Sequence, residues 1–184
     1  MTDRYELVND WLRDALGWSA YRIEPASADA SFRRYYRVGH GNASYIVMDA
    51  PPDKEDCRPF VQIARALAGI GLNVPRVLQA DLEQGLLLLT DLGPRTYLEA
   101  VDEHSHGRYY DDALNALFLL QTRGTGDDVM LPDYDHALLM AEMGLFRDWL
   151  LATHLGVTVD EGLDRALAET FEYLAAAALA QPRV

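Results

Sequence analysis

SFRRYYRVGHGNASYIVM, residues 31–48, reads as two strands joined by a tight turn. Over residues 31–38 two side-chain sets alternate. Phe32, Arg34, Tyr36 and Val38 fall on one face, and Ser31, Arg33, Tyr35 and Arg37 on the other. GHGN at 39–42 supplies the turn and residues 44–48 the returning strand. Strands in direct succession make an antiparallel meander and exclude a β-α-β start. Working upstream, residues 21–25 predict a short strand, set off by the small, polar turn 26–30. Residues 3–17, DRYELVNDWLRDALG, predict a helix: Leu7, Trp11 and Ala15, then Leu12 and Leu16, recur at helical spacing, and Gly17 stops it.

Downstream, Pro51 and Pro52 end the meander, and residues 59–68 predict a helix closed by Gly69 and Gly71. Glu55 and Asp56 are expected as its first-turn acids, where a carboxylate suits the helix dipole. Residues 77–80 and 86–90 predict two more strands around the turn 81–85. The run LLLL at 86–89 predicts burial on both faces. DLGP at 91–94 is the clearest punctuation in the chain, and the lobe boundary is placed there, giving 1–92 and 93–184. After it the pattern is helical: a turn or two at 96–100, then 107–121, a loop at 124–132, a long helix at 134–155 broken near Gly144, and 159–179. QPRV at 181–184 suits the start of a strand. The expected class is α+β, with a five-stranded antiparallel sheet in the first lobe and helices in the second.

The chain has 184 residues, of which 49% are hydrophobic, enough for a packed core. Its net charge of −13 argues against non-specific binding to nucleic acid or anionic membrane. The acidity is concentrated in residues 101–184, which hold 15 acids against 5 arginines. Cys57 is the single cysteine, so neither an internal disulfide nor a cysteine-rich zinc site is open to the chain. No apolar run reaches a membrane-spanning length and the first residues lack a secretory pattern, so the expected location is cytoplasmic.

Three arginines, Arg33, Arg34 and Arg37, follow a small-residue turn, SADAS at 27–31. Backbone amides in such a turn approach a phosphate closely, and Ser31 adds a hydroxyl. Two readings fit: an anion site, or an ordinary hairpin with a solvated charged face from which Arg34 snorkels. No GxGxxG or P-loop pattern is present. LTDLG at 89–93 joins strand to helix; its backbone groups suit a planar base, or it is a plain linker. His104 and His106 make a weak zinc signal without a third ligand. Cys57 has no evident activator and reads as an inert thiol.

Together the stretches SADASFRRYYRV (27–38), YIVMDAPP (45–52), CRPFVQIARALAGIGLNVPRV (57–77) and LLLLTDLGPRT (86–96), with residues 131–156, resemble the aminoglycoside phosphotransferase and choline-kinase-like family of small-molecule kinases. Within that family the chain is most similar to bacterial kinases acting on the anomeric position of N-acetylmuramate and N-acetylglucosamine. The resemblance implies a protein-kinase-like fold with ATP or GTP between two lobes. Asp29, Ala30 and Ser31 match the loop covering the phosphates, Ile46 the strand residue over the adenine, and Leu89 to Leu92, with Thr90, Asp91 and Leu92 as its binding residues, the hinge whose backbone reads the base. Met48 stands where many relatives place the lysine that holds the phosphates; either Arg33 or Arg34 replaces it, with Arg33 favoured beside Ser31, or the phosphates are gripped differently. Glu55 and Gln62 are the candidates for the helix side of the usual ion pair, though Met48 offers neither a charge to pair with.

The family's His-x-Asp catalytic loop is missing, so the chain reads as the first half to two-thirds of such a kinase. No catalytic residue is assigned in this chain, and the Mg²⁺ ligands are expected beyond Val184. The implied partners are a nucleotide and a small sugar-like acceptor, with no nucleic acid and no membrane. Alternatives are an aminoglycoside or other cationic acceptor, suggested by the acidic second half, and a non-catalytic nucleotide-binding or docking module.

Overall fold

A computed structural model of the chain describes residues 3–28, 31–124 and 133–182. Five antiparallel strands form one sheet: β1 (Arg22–Ala28), β2 (Arg34–His40), β3 (Ala43–Asp49), β4 (Val77–Asp81) and β5 (Leu86–Thr90). Their spatial order is β1-β2-β3-β5-β4. The β2–β3 hairpin pairs Arg34 with Asp49 through to His40 with Ala43, turning at Gly41, whose φ of +60° suits glycine. After β3 the chain leaves the sheet through α2 (Arg58–Gly69), and β4 forms the far edge. β5 then returns between β3 and β4.

That topology explains the leucine run. β5 has strands on both sides and a helix over each face, so Leu86, Leu87, Leu88 and Leu89 are all buried. Leu86 and Leu88 join Val38 and Val47 under the first helix, α1 (Arg4–Asp10), with Val8, Trp11 and Leu12 above them. Leu87 and Leu89 join Met48 and Ala50 on the opposite face, covered by Val61 of α2 and by Cys57. Alternation along β3 therefore sends residues 46, 48 and 50 toward α2, and 45, 47 and 49 toward α1. The expected fold class is the one observed.

Several expected bounds shift for local reasons. The expected single helix over 3–17 is α1 followed by wider winding over Trp11–Ala15, where Leu16 N–H donates to the Trp11 carbonyl. β1 runs on to Ala28 through a register shift between Pro25 and Ser27, a place where a strand accommodates proline. β2 begins only at Arg34, not at Ser31. α2 begins at Arg58, so Glu55 and Asp56 precede the helix instead of sitting in its first turn. Asp56 accepts the Arg58 amide at 2.9 Å in the bend ahead of it.

Beyond the sheet come α3 (Tyr97–Ala100), capped reciprocally by Thr96 and Glu99, and α4 (His106–Arg123). The chain divides into two compact units, Met1–Val129 and Met130–Val184. The lobe boundary expected at 92/93 marks the end of the sheet, whereas α3 and α4 belong to the first unit. The second unit contains α5 (His136–Leu145), with wider winding over Phe146–His154, and α6 (Glu161–Leu179). No break occurs at Gly144; the winding changes two residues later. Asp135 and Asp160 cap the helices by accepting the amides of Leu138 and Leu163. Arg147 joins the two helices through Asp164 at 2.6 Å. The strand start expected at 181–184 is a turn at its first residues, and 183–184 lie outside the described residues, as does most of the loop expected at 124–132. Among the described residues no helix is long and apolar enough to cross a membrane.

Candidate nucleotide groove

The end of β5 is tied on both sides. Thr90 N–H donates to the Arg76 carbonyl at 3.0 Å, and its hydroxyl accepts the Arg76 amide at 2.9 Å. The next residue, Asp91, turns its side chain back over the sheet. Its carboxylate accepts Arg37 Nε at 2.7 Å and Nη2 at 3.2 Å, the Ser44 hydroxyl at 2.6 Å and the Gly93 amide at 2.8 Å. Arg37 also donates to the Gly93 carbonyl at 3.2 Å. Arg37's hydrogen bonds, helped by Ser44 and the Gly93 amide, hold the Asp91 carboxyl well below the usual carboxylate range, against the smaller upward push of burial. Gly93 adopts φ +98°, a conformation that glycine takes without strain.

Beside this hinge lies a groove of about 380 Å³, within the range of small-molecule sites. Ile46, Leu89 and Phe60 give it apolar walls, Tyr35 and Arg37 line it from β2, and Thr90, Asp91, Leu92 and Gly93 form its hinge edge. Among the described residues no hydrogen bond engages the Leu92 amide or carbonyl, and the Leu92 side chain is exposed. A flat heterocycle in such a groove would meet apolar surface on its faces and free backbone groups at its edge.

Just ahead of β2 stands Arg33. Its guanidinium meets Glu55 at 3.1 Å, with Glu55 only 17% exposed. Burial pulls the Arg33 pKa down, but the Glu55 charge and hydrogen bonding to Tyr35 and Glu55 outweigh it, and the net shift is upward. Ser31 lies beside it, its hydroxyl accepting the Arg33 amide at 3.1 Å.

The structure thus gathers four of the expected residues, Ile46, Thr90, Asp91 and Leu92, around one groove. Ser31 and Arg33 sit together near Glu55. Arg34 is exposed at the start of β2, and Asp29 and Ala30 lie outside the described residues. Met48 is fully buried between Leu87, Cys57 and Val61, and shows no surface to the groove. Of the two residues considered for the helix side of the ion pair, Glu55 meets Arg33, while Gln62 is exposed. Tyr35 and Arg37 line the groove although neither was singled out for it; their alternation with Arg33 on one strand face was the available signal. Leu89 opens the hinge stretch that the sequence marks, whereas Phe60 had no local signal beyond apolarity. Among the described residues no three His, Cys, Asp or Glu side chains gather as a metal site. Cys57 is buried, and desolvation pushes its thiol pKa up, as suits an unreactive thiol.

The model of the phosphotransferase enzyme family matches residues 22–184. An N-acetylmuramate/N-acetylglucosamine kinase of Pseudomonas aeruginosa is 44% identical over 98% of the chain and 56% of its own length. A kinase of the same name from Pseudomonas putida is 41% identical over 97% of the chain and 53% of its own. A third, from Neisseria meningitidis serogroup B, is 33% identical over 96% of the chain and 53% of its own. The chain spans about half the length of the curated relatives it matches.

Proposed function

The chain belongs to the phosphotransferase enzyme family, and on that premise we propose that it forms the nucleotide-binding part of an ATP-dependent kinase of amino-sugar hydroxyls. The observation that carries this reading is the hinge groove, with apolar walls at Ile46 and Leu89 and unengaged backbone groups at Leu92. Adenine fits that chemistry: its faces are apolar and its edge carries both a donor and acceptors. ATP supplies the γ-phosphoryl group that is transferred. Residues 1–92 act as the nucleotide-binding lobe in this reading. Arg33, held charged beside Glu55 and next to Ser31, takes the phosphate grip that Met48, buried under α2, does not provide.

Among the described residues no three His, Cys, Asp or Glu side chains gather where a Mg²⁺ ion would need them. We place the acceptor base and the metal ligands in the half of the relatives' length that this chain does not span. The acceptor is proposed to be N-acetylmuramate or N-acetylglucosamine because the relatives are named for those sugars.

Labelled ATP and a panel of N-acetyl amino sugars and aminoglycosides test the proposal. The assay uses this chain and a chimera completed with the second half of the Pseudomonas aeruginosa relative. Turnover by the chimera alone, with preference for N-acetyl amino sugars, is the expected result. Robust turnover by the 184-residue chain refutes the division of roles, and preference for the aminoglycoside refutes the acceptor. On this chain, Arg33→Ala should weaken ATP binding about tenfold to hundredfold, as loss of one charge-assisted contact does, while Arg34→Ala should leave it nearly unchanged.

A further inference from the structure

We propose that the Asp91 side chain is a positioning residue that holds the hinge in the shape a nucleobase needs, without touching the nucleotide itself. The inference rests on the nucleotide reading of the groove and adds a role for a side chain that this reading leaves idle. Asp91 lies on the base-reading segment, yet its carboxylate points to the sheet, where four hydrogen bonds from Arg37, Ser44 and Gly93 use it up. Those partners come from three places: β2, β3 and the hinge itself. The side chain is 7% exposed, so little of it is left for a ligand.

Two consequences follow from the geometry. First, the Gly93 amide's bond to Asp91 and the bond from Arg37 to the Gly93 carbonyl fix the two successive peptide groups after Leu92, Leu92–Gly93 and Gly93–Pro94. The Leu92 carbonyl shares its peptide plane with the Gly93 amide and is directed by that bond, while the residue before Leu92 is anchored through the Asp91 side chain. Second, Arg37 lines the groove but its charge is matched by Asp91 at 2.7 Å. The hinge end is then close to neutral, which suits an uncharged base. Loss of the Asp91 carboxylate would both loosen Leu92 and release an unpaired guanidinium into the base end.

Calorimetric titration of this chain with adenosine and with ATP tests the proposal, using Asp91→Asn, Ser44→Ala and Arg33→Ala. Asp91→Asn should weaken both ligands by the same factor, at least about tenfold, because the base end is common to them. Ser44→Ala, which removes one of the four bonds, should do the same to a smaller extent. Arg33→Ala should weaken ATP far more than adenosine. A merely structural role predicts lower melting temperatures with unchanged affinity in the folded fraction, so melting is recorded alongside. Equal affinities for wild type and Asp91→Asn overturn the proposal, as does a loss confined to ATP. Absence of binding by the wild-type chain overturns the nucleotide reading instead. If Asp91→Asn does not fold, Ser44→Ala carries the same comparison between adenosine and ATP.

Discussion

Asp49 sits at the end of β3 with its side chain fully buried, and Arg4 of α1 is its counter-charge. Arg4 Nε donates to Asp49 Oδ1 at 2.9 Å, Nη2 donates to the same oxygen, and Nη2 also reaches the Gln84 carbonyl at 2.8 Å. Asp49 Oδ2 has no partner among the described residues, so nothing else offsets the charge if Arg4 is removed. Arg4→Met keeps most of the stem but strips the charge. Breaking a buried pair from one side costs about 3–5 kcal/mol, a large share of the roughly 5–15 kcal/mol that holds a domain folded. With a urea slope of about 2 kcal/mol per molar, the unfolding midpoint should fall by about 2 M. Tryptophan fluorescence reads the transition, because Trp11 packs in the cluster beneath α1. Arg13→Met is the control: its pair with Asp10 is half exposed on both sides, and exposed pairs contribute about 0–1 kcal/mol. The double change Arg4→Met with Asp49→Leu should recover most of the loss, since no buried charge then remains. The reasoning fails if Arg4→Met shifts the midpoint no more than Arg13→Met. It fails also if the double variant is as weak as the single one, for the loss would then come from packing.

Three further outcomes are expected. Gly85→Ala should destabilise by more than about 2 kcal/mol, since a left-handed residue alone costs about 1–2 kcal/mol and the new Cβ would stand 1.9 Å from the Ala50 carbonyl oxygen; Gly41→Ala, also left-handed but in open space, should cost only the conformational part, and thermal melts rank the two. Asp91 has a depressed folded pKa, so its stabilisation is complete above the unfolded carboxylate value of about 4 and is lost as pH falls below it; the gap in urea midpoint between wild type and Asp91→Asn should therefore be widest near neutrality and shrink toward pH 3. Cys57, buried and with its thiol pKa raised, should react with an aromatic disulfide reagent only as fast as the protein opens, and accelerate sharply in urea; a native rate matching that of a free thiol contradicts its placement.

Some of this molecule is written in local pattern. The alternation over 34–38 assigns each side chain of β2 to a face, and the structure buries Tyr36 and Val38 accordingly. LLLL at 86–89 states that its strand is covered on both sides, and Thr96, Asp135 and Asp160 mark helix starts by chemistry within four residues of themselves. Periodicity and capping are short-range, so one sequence suffices to read them. The ion pairs of the sheet and the groove are not short-range. Arg37 meets Asp91 across 54 positions, Arg4 meets Asp49 across 45, and Arg33 meets Glu55 across 22. Which acid answers which arginine depends on strand order: β5 enters beside β3, and this brings the hinge next to Ser44 and within reach of Arg37. The same folding step buries Met48, because the turn after β3 lays α2 over residues 48 and 50 while leaving Ile46 at the groove. Periodicity places a side chain on a face of its strand; only the packing of distant segments decides whether that face meets a helix, a counter-charge or an open groove.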